Sequence, residues 1–120
     1  MITCCIRYTL DPHQIADFER YATTWPPIIA RCGGALVGYF LPKEGPNNFA
    51  LALIEFDSLA AYERYREALR ADPEARENFD HAVRTQCIQV EDRCFAALAA
   101  TERKELLRLL EKCTAALEPE

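Results

Sequence analysis

No stretch of this chain is long and apolar enough to cross a bilayer, which takes about 18 uncharged apolar residues in a row, so no membrane partner is expected. The first residues, Met1-Ile2-Thr3-Cys4-Cys5-Ile6-Arg7, lack the basic-then-apolar order of a secretory signal, and a cytoplasmic location is the expectation. Positive charge is also short. Fourteen Lys and Arg against nineteen Asp and Glu leave a net charge of −5, the wrong sign for nucleic acid or an anionic surface. No C-x-x-C pair and no histidine cluster accompany the six cysteines, which removes zinc-type metal sites. With four glycines there is no glycine-rich phosphate loop, and no segment repeats. No cofactor is expected.

What the chain does have is a globular composition, with half of its 120 residues hydrophobic and 28% charged, enough for one domain with a real core. Cys4, Cys5, Cys32, Cys87, Cys94 and Cys113 read as small buried hydrophobes in a reducing compartment, with Cys4 and Cys5 facing opposite sides of a strand. The clearest local signal is Gly38-Tyr39-Phe40-Leu41-Pro42, a polar loop, then Phe49-Ala50-Leu51-Ala52-Leu53-Ile54-Glu55-Phe56. It predicts a hairpin whose second strand is apolar on both faces, and such a strand must be covered on both faces. Helices from one chain of this length cover about one face. A second copy of the protein is the expected cover for the other.

Ile2 to Leu10 predicts the first strand. Asp11-Pro12-His13-Gln14 predicts a helix start, with Asp11 capping and Pro12 in the first helical position. Ile15, Phe18, Ala22, Trp25 and Ile29 form one helical face, Pro26 and Pro27 predict a kink or restart within it, and Gly33-Gly34 ends it. Strands follow over Ala35 to Leu41 and Phe49 to Phe56. Asp57-Ser58 caps a helix carrying Leu59, Tyr62, Tyr65 and Leu69, and Asp72-Pro73 restarts it. A fourth strand is expected from about Gln86 to Phe95. An amphipathic helix with Leu106, Leu109, Leu110, Cys113 and Leu117 on one stripe closes the chain from Thr101.

The order β-α-β-β-α-β is the α+β, ferredoxin-like arrangement: an antiparallel sheet in strand order 4-1-3-2, its helices on one face and an extra helix at the end. The other face then points at a partner, and a homodimer through the sheet face is expected.

This order, with Met1-Ile2-Thr3-Cys4 running into Arg7-Tyr8, Gly33-Gly34, Gly38-Tyr39-Phe40-Leu41-Pro42, Gly45 with Asn47-Asn48, and Phe56-Asp57-Ser58-Leu59-Ala60-Ala61-Tyr62, resembles the NIPSNAP family. The resemblance covers about residues 1 to 95. It implies a dimeric α+β barrel over 1–97, with 98–120 as a helical extension, on a scaffold shared with cofactor-independent monooxygenases. It implies no particular reaction.

Candidate ligand-pocket residues are Arg7, Tyr21, Trp25, Tyr39 and Asn48. Trp25, the single tryptophan, and Tyr21 one turn before it suit an aromatic wall, or a core anchor, as aromatic residues at helical spacing usually are. Arg7, the lone charge of the first strand, suits an anion or a structural partner. Pairing in the expected order sets it opposite Leu51 and Gln89, and sets Glu55 and Arg93 on either side of Thr3, within reach of each other if they share a face. Tyr39 and Asn48 flank the loop from Pro42 to Asn48, where turn chemistry explains each residue equally well. His13 and His81 sit near helix ends and read as surface residues, with nothing marking His81 as a haem ligand.

No catalytic constellation can be assembled. The expected function is a NIPSNAP-like dimer that binds a small apolar or aromatic molecule. The alternatives are a cofactor-independent monooxygenase or isomerase, in which the substrate itself carries the electrons, and a purely structural dimer.

Overall fold

Four antiparallel strands in the order β2-β3-β1-β4 carry a layer of helices on one face. The computed structural model describes residues 1–42, 47–97 and 99–117. Lys43 to Pro46 of the hairpin loop and the side chains of Cys113 and Leu117 lie outside the described residues. The elements are β1 (Ile2–Leu10), α1 (Ile15–Cys32), β2 (Ala35–Phe40), β3 (Phe49–Phe56), α2 (Leu59–Ala71), α3 (Pro73–Thr85), β4 (Ile88–Ala96) and α4 (Ala100–Leu117). The fold is ferredoxin-like α+β, with the strand order expected from the sequence.

Alternation decides the faces of the sheet. Cys4, Ile6, Tyr8 and Leu10 of β1 and Ala50, Ala52, Ile54 and Phe56 of β3 are buried under the helices. Phe18, Tyr21, Ala22, Trp25, Ile28 and Ile29 of α1 close onto them at helical spacing. Cys5, Arg7 and Thr9 of β1 and Phe49, Leu51, Leu53 and Glu55 of β3 occupy the other face. Cys4 and Cys5 thus part as expected, and the described cysteines, Cys4, Cys5, Cys32, Cys87 and Cys94, are free thiols.

Local chemistry corrects the expected boundaries in three places. Asp11 does not cap α1: its carboxylate accepts from the His13 amide at 2.9 Å, closing a turn of its own, and α1 begins at Ile15 behind Gln14. Pro26 and Pro27 do not divide α1, which runs on through both. The two rings are exposed, and the Thr23 and Thr24 hydroxyls bond back to carbonyls one turn earlier in the same stretch. Gln86 does not open β4. It ends α3 with φ of 53°, its amide donating to the Ala82 carbonyl, and β4 starts at Ile88.

The remaining signals hold. Gly33 caps α1 with φ of 106°, a left-handed conformation that a β-carbon resists. Ser58 accepts from the Ala61 amide at 3.1 Å to start α2, and Asp72 accepts from the Glu74 and Ala75 amides to start α3. The helix α4 opens with the Ala99 amide bonded to Glu102 and is tied to the open face of the sheet by an Arg103–Glu55 ion pair. No helix among the described residues is long and apolar enough to cross a membrane.

Candidate functional site

Between sheet and helices lies an aromatic cluster built by four helical residues and two strands. Tyr21 and Trp25 meet edge to face at 5.6 Å, and Phe79 of α3 closes on Trp25 at 4.9 Å. Tyr8 of β1 stacks on Tyr39 of β2 at 6.3 Å and tilts against Phe18 at 5.0 Å. Burial pushes the Tyr8, Tyr21, Tyr39 and Tyr65 hydroxyls well above the usual phenol range, so they stay protonated at neutral pH.

The cluster is nearly solid. A void of about 20 Å³ remains among Tyr8, Tyr21, Trp25, Tyr39, Phe79 and Arg93, enough for roughly one water molecule. The Trp25 indole N–H is buried with no hydrogen-bond partner. It sits close enough to the Tyr21 hydroxyl to lower that group's proton affinity slightly, without a bond of proper geometry.

Outside the cluster, along the exposed edge of β4, runs a groove of about 520 Å³. Tyr21, Phe79, Ala82, Val83 and Ile88 give it apolar walls, and Gln86, Gln89 and Glu91 give it a polar rim. Tyr21 and Phe79 also line the inner void, so the two spaces share a wall. Arg93 stands behind Glu91 on the same strand. Its guanidinium donates to Glu91 at 2.5 Å and to the Tyr62 hydroxyl at 3.1 Å. Burial lowers its proton affinity, but Glu91 and Tyr62 more than offset this, and Arg93 stays charged.

Of the five residues singled out from sequence, the structure brings together Tyr21, Trp25 and Tyr39. It does not bring Arg7 or Asn48 to them. Arg7 is exposed on the opposite face of the sheet, its guanidinium 5.6 Å from the Phe49 ring centre. Asn48 is exposed beside the hairpin loop, its carbonyl accepting from the Leu10 amide at 2.6 Å.

The expected pairings of the charged strand residues need correction. Arg7 does lie opposite Leu51, but its other neighbour is Asp92, three residues beyond Gln89. Glu55 does lie opposite Thr3, whereas Arg93 lies opposite Ile6, on the helix side. A Glu55–Arg93 contact is therefore ruled out by the sheet itself: Glu55 binds Arg103 and Arg93 binds Glu91. His81 also departs from the surface reading. It is buried on α3 with Nε2 2.9 Å from the Asp17 carbonyl, which fixes the proton on that nitrogen; His13 is exposed.

Sequence reasoning missed Glu91, Arg93, Phe79, Gln86 and Gln89. A shift in the β1–β4 pairing is the reason: Leu10 pairs with Ile88 but Thr9 with Val90, so Gln89 is the extra residue. The shift puts both Ile88 and the series Glu91, Arg93, Phe95 on the helix side. The i, i+2 spacing of Glu91 and Arg93 was the available signal. Among the described residues no group of three His, Cys, Asp or Glu is placed to hold a metal ion.

An antiparallel sheet with helices on one face, a closed aromatic interior and a groove at the β4 edge define a ferredoxin-like α+β domain with a helix-side cleft. The sequence profile of the NIPSNAP family matches residues 4–102, and the chain belongs to that family. A solved NIPSNAP family protein of unknown function from Agrobacterium tumefaciens is 25% identical, with 82% of this chain and 88% of that one aligned at a TM-score of 0.72. An uncharacterized NIPSNAP domain protein from Burkholderia xenovorans is 20% identical, covering 83% and 96% at a TM-score of 0.70. The fold also matches a proposed antibiotic biosynthesis monooxygenase from Nitrosomonas europaea, 7% identical, over 82% and 98% at a TM-score of 0.64. No protein of curated function matches the chain.

Proposed function

We propose that this NIPSNAP protein is a small-molecule binding protein that holds a flat, largely apolar ligand in the β4-edge groove. The groove itself carries the reading. Its volume of about 520 Å³ falls in the range of small-ligand sites, roughly 300–1,000 Å³, and apolar walls converge there with a few polar groups. The protein acts in this reading as a cytoplasmic homodimer, in keeping with its free thiols. The second copy covers the part of the sheet face opposite α1 to α3 where half-buried Phe40, Phe49 and Leu51 lie side by side on β2 and β3.

The test uses N-phenyl-1-naphthylamine, an uncharged dye whose fluorescence rises in apolar sites. One dye per chain is expected, with micromolar affinity. Val83→Trp fills the groove from a side chain that is 74% exposed, which spares the core, and is expected to weaken binding at least tenfold. Absence of dye binding, or equal binding by the variant, would remove the proposal.

An oxygenase reading has one observation of its own, the fold shared with proposed antibiotic biosynthesis monooxygenases. A cofactor-independent oxygenase needs a base to deprotonate an electron-rich substrate, and Glu91 is the carboxylate on the groove. Oxygen uptake with added phenolic substrates, lost in Glu91→Gln, separates this reading from simple binding.

A further inference from the structure

Trp25 carries an observation that ligand binding in the groove does not by itself explain. Its side chain is 3% exposed and its indole N–H has no partner. Leaving such a donor unmet in a folded protein is costly, so buried donors are almost always satisfied. The small void lies where Trp25 and Arg93 both form its lining. The Tyr8, Tyr21 and Tyr39 hydroxyls share this lining, yet none bonds the indole nitrogen, and Arg93 already has Glu91 and Tyr62; the Trp25 N–H is the donor here that lacks an acceptor. The void holds about 20 Å³, the space of a single oxygen atom rather than of a ring. A ring has its place next door, in the groove that Tyr21 and Phe79 separate from the void.

We infer that the groove and the void together form one bipartite site for a planar aromatic molecule bearing a neutral carbonyl oxygen. The ring system lies in the groove against Tyr21 and Phe79. The oxygen enters past Phe79 to accept from the Trp25 N–H, with Arg93 beside it. Two features argue for a neutral oxygen rather than a carboxylate. Glu91 already neutralises Arg93 at 2.5 Å, and its own negative charge lies on the groove rim. The surrounding tyrosine hydroxyls, kept protonated by burial, add no charge. This specificity rests on the reading of the groove as a ligand site and adds to it a chemical requirement at one atom.

The pair 9-fluorenone and fluorene tests that requirement, since the two share a flat tricyclic skeleton and differ in the carbonyl. Competition against N-phenyl-1-naphthylamine measures affinity. The indole N–H resonance of ¹⁵N-labelled protein reports the contact directly, because one tryptophan gives one signal. Fluorenone is expected to displace the dye at about tenfold lower concentration than fluorene. It is also expected to move the indole proton downfield, which fluorene leaves in place. Trp25→Phe keeps an aromatic ring and removes the donor, and is expected to bring the two compounds within about twofold of each other. Equal displacement by both compounds with an unmoved indole signal would overturn the carbonyl requirement and leave the groove standing. Failure of the dye itself to bind would overturn the groove reading, and this inference with it. The indole shift in the unaltered protein decides the matter even if Trp25→Phe folds poorly.

Discussion

Asp72 joins two helices through one carboxylate. It accepts from the Glu74 and Ala75 amides at the start of α3 and takes a bidentate bond from Arg31, at 2.7 and 2.8 Å, at the end of α1. The Arg31 bond first, and the Ala75 amide second, hold this carboxyl well below the usual carboxylate range. A carboxyl with a depressed folded-state pKa stabilises the fold above its unfolded value near 4, and that contribution fades as pH falls towards the folded value. Asp72→Asn is therefore expected to melt a few degrees below the parent at pH 7, with the gap narrowing below pH 4. A gap that stays constant from pH 7 to 2.5 in thermal melts would contradict this assignment. Gly34 is a second sharp case. A β-carbon there would lie 2.8 Å from Ile29 Cγ2 and 3.1 Å from Ile54 Cγ2, both in the core. Gly34→Ala is expected to cost about 1–3 kcal/mol in urea unfolding, and a variant as stable as the parent would contradict that packing. Residues of this kind show what a sequence reveals of a site. Tyr21 and Trp25 were legible from their helical spacing, whereas Tyr39 was marked only by its place beside the hairpin loop. Arg93 and Glu91 were not, because their face depends on a single shifted residue, Gln89, in the pairing of β4 with β1.

At the scale of elements, runs of pattern proved stronger than single breakers. The strands β1 and β3 and the helix α3 follow from alternation, from Asp72-Pro73 and from apolar spacing, and they stand where the sequence placed them. The two prolines of α1 lost to the apolar face around them, since Trp25, Ile28 and Ile29 all gain burial by continuing the helix. Among the described residues, those of α4 are the least anchored. Leu106, Leu107 and Leu110 are half-buried, Leu109 is 44% exposed, and its described ion pair to the sheet runs from Arg103 to Glu55 on the open face. An amphipathic helix beside an apolar sheet face is well placed to clasp the second copy proposed to cover it. Deletion of residues 101–120 is expected to weaken self-association about tenfold or more in sedimentation experiments while leaving the far-ultraviolet signature of the sheet. Unchanged association would assign α4 to its own subunit alone.

For the whole molecule, the two faces of the sheet divide the work. The helix side forms a core closed around aromatic rings, with the groove at its β4 edge, and the other side carries half-buried Phe40, Phe49 and Leu51 between the charged residues Arg7 and Glu55, with Leu53 already buried there. Leu51 lies on that face opposite Arg7, away from the groove, so Leu51→Glu places a charge in the proposed dimer contact without touching the proposed site. The variant is expected to be monomeric at micromolar concentration and still to bind the dye; a dimer would mean that the sheet face is not the interface. The central claim joins both faces: a NIPSNAP homodimer with one ligand groove per chain. Native mass spectrometry of the full chain with N-phenyl-1-naphthylamine examines both halves in one spectrum. The expected species has twice the 13.7 kDa chain mass and carries two dye molecules. A bare monomer at the same concentrations would contradict the account.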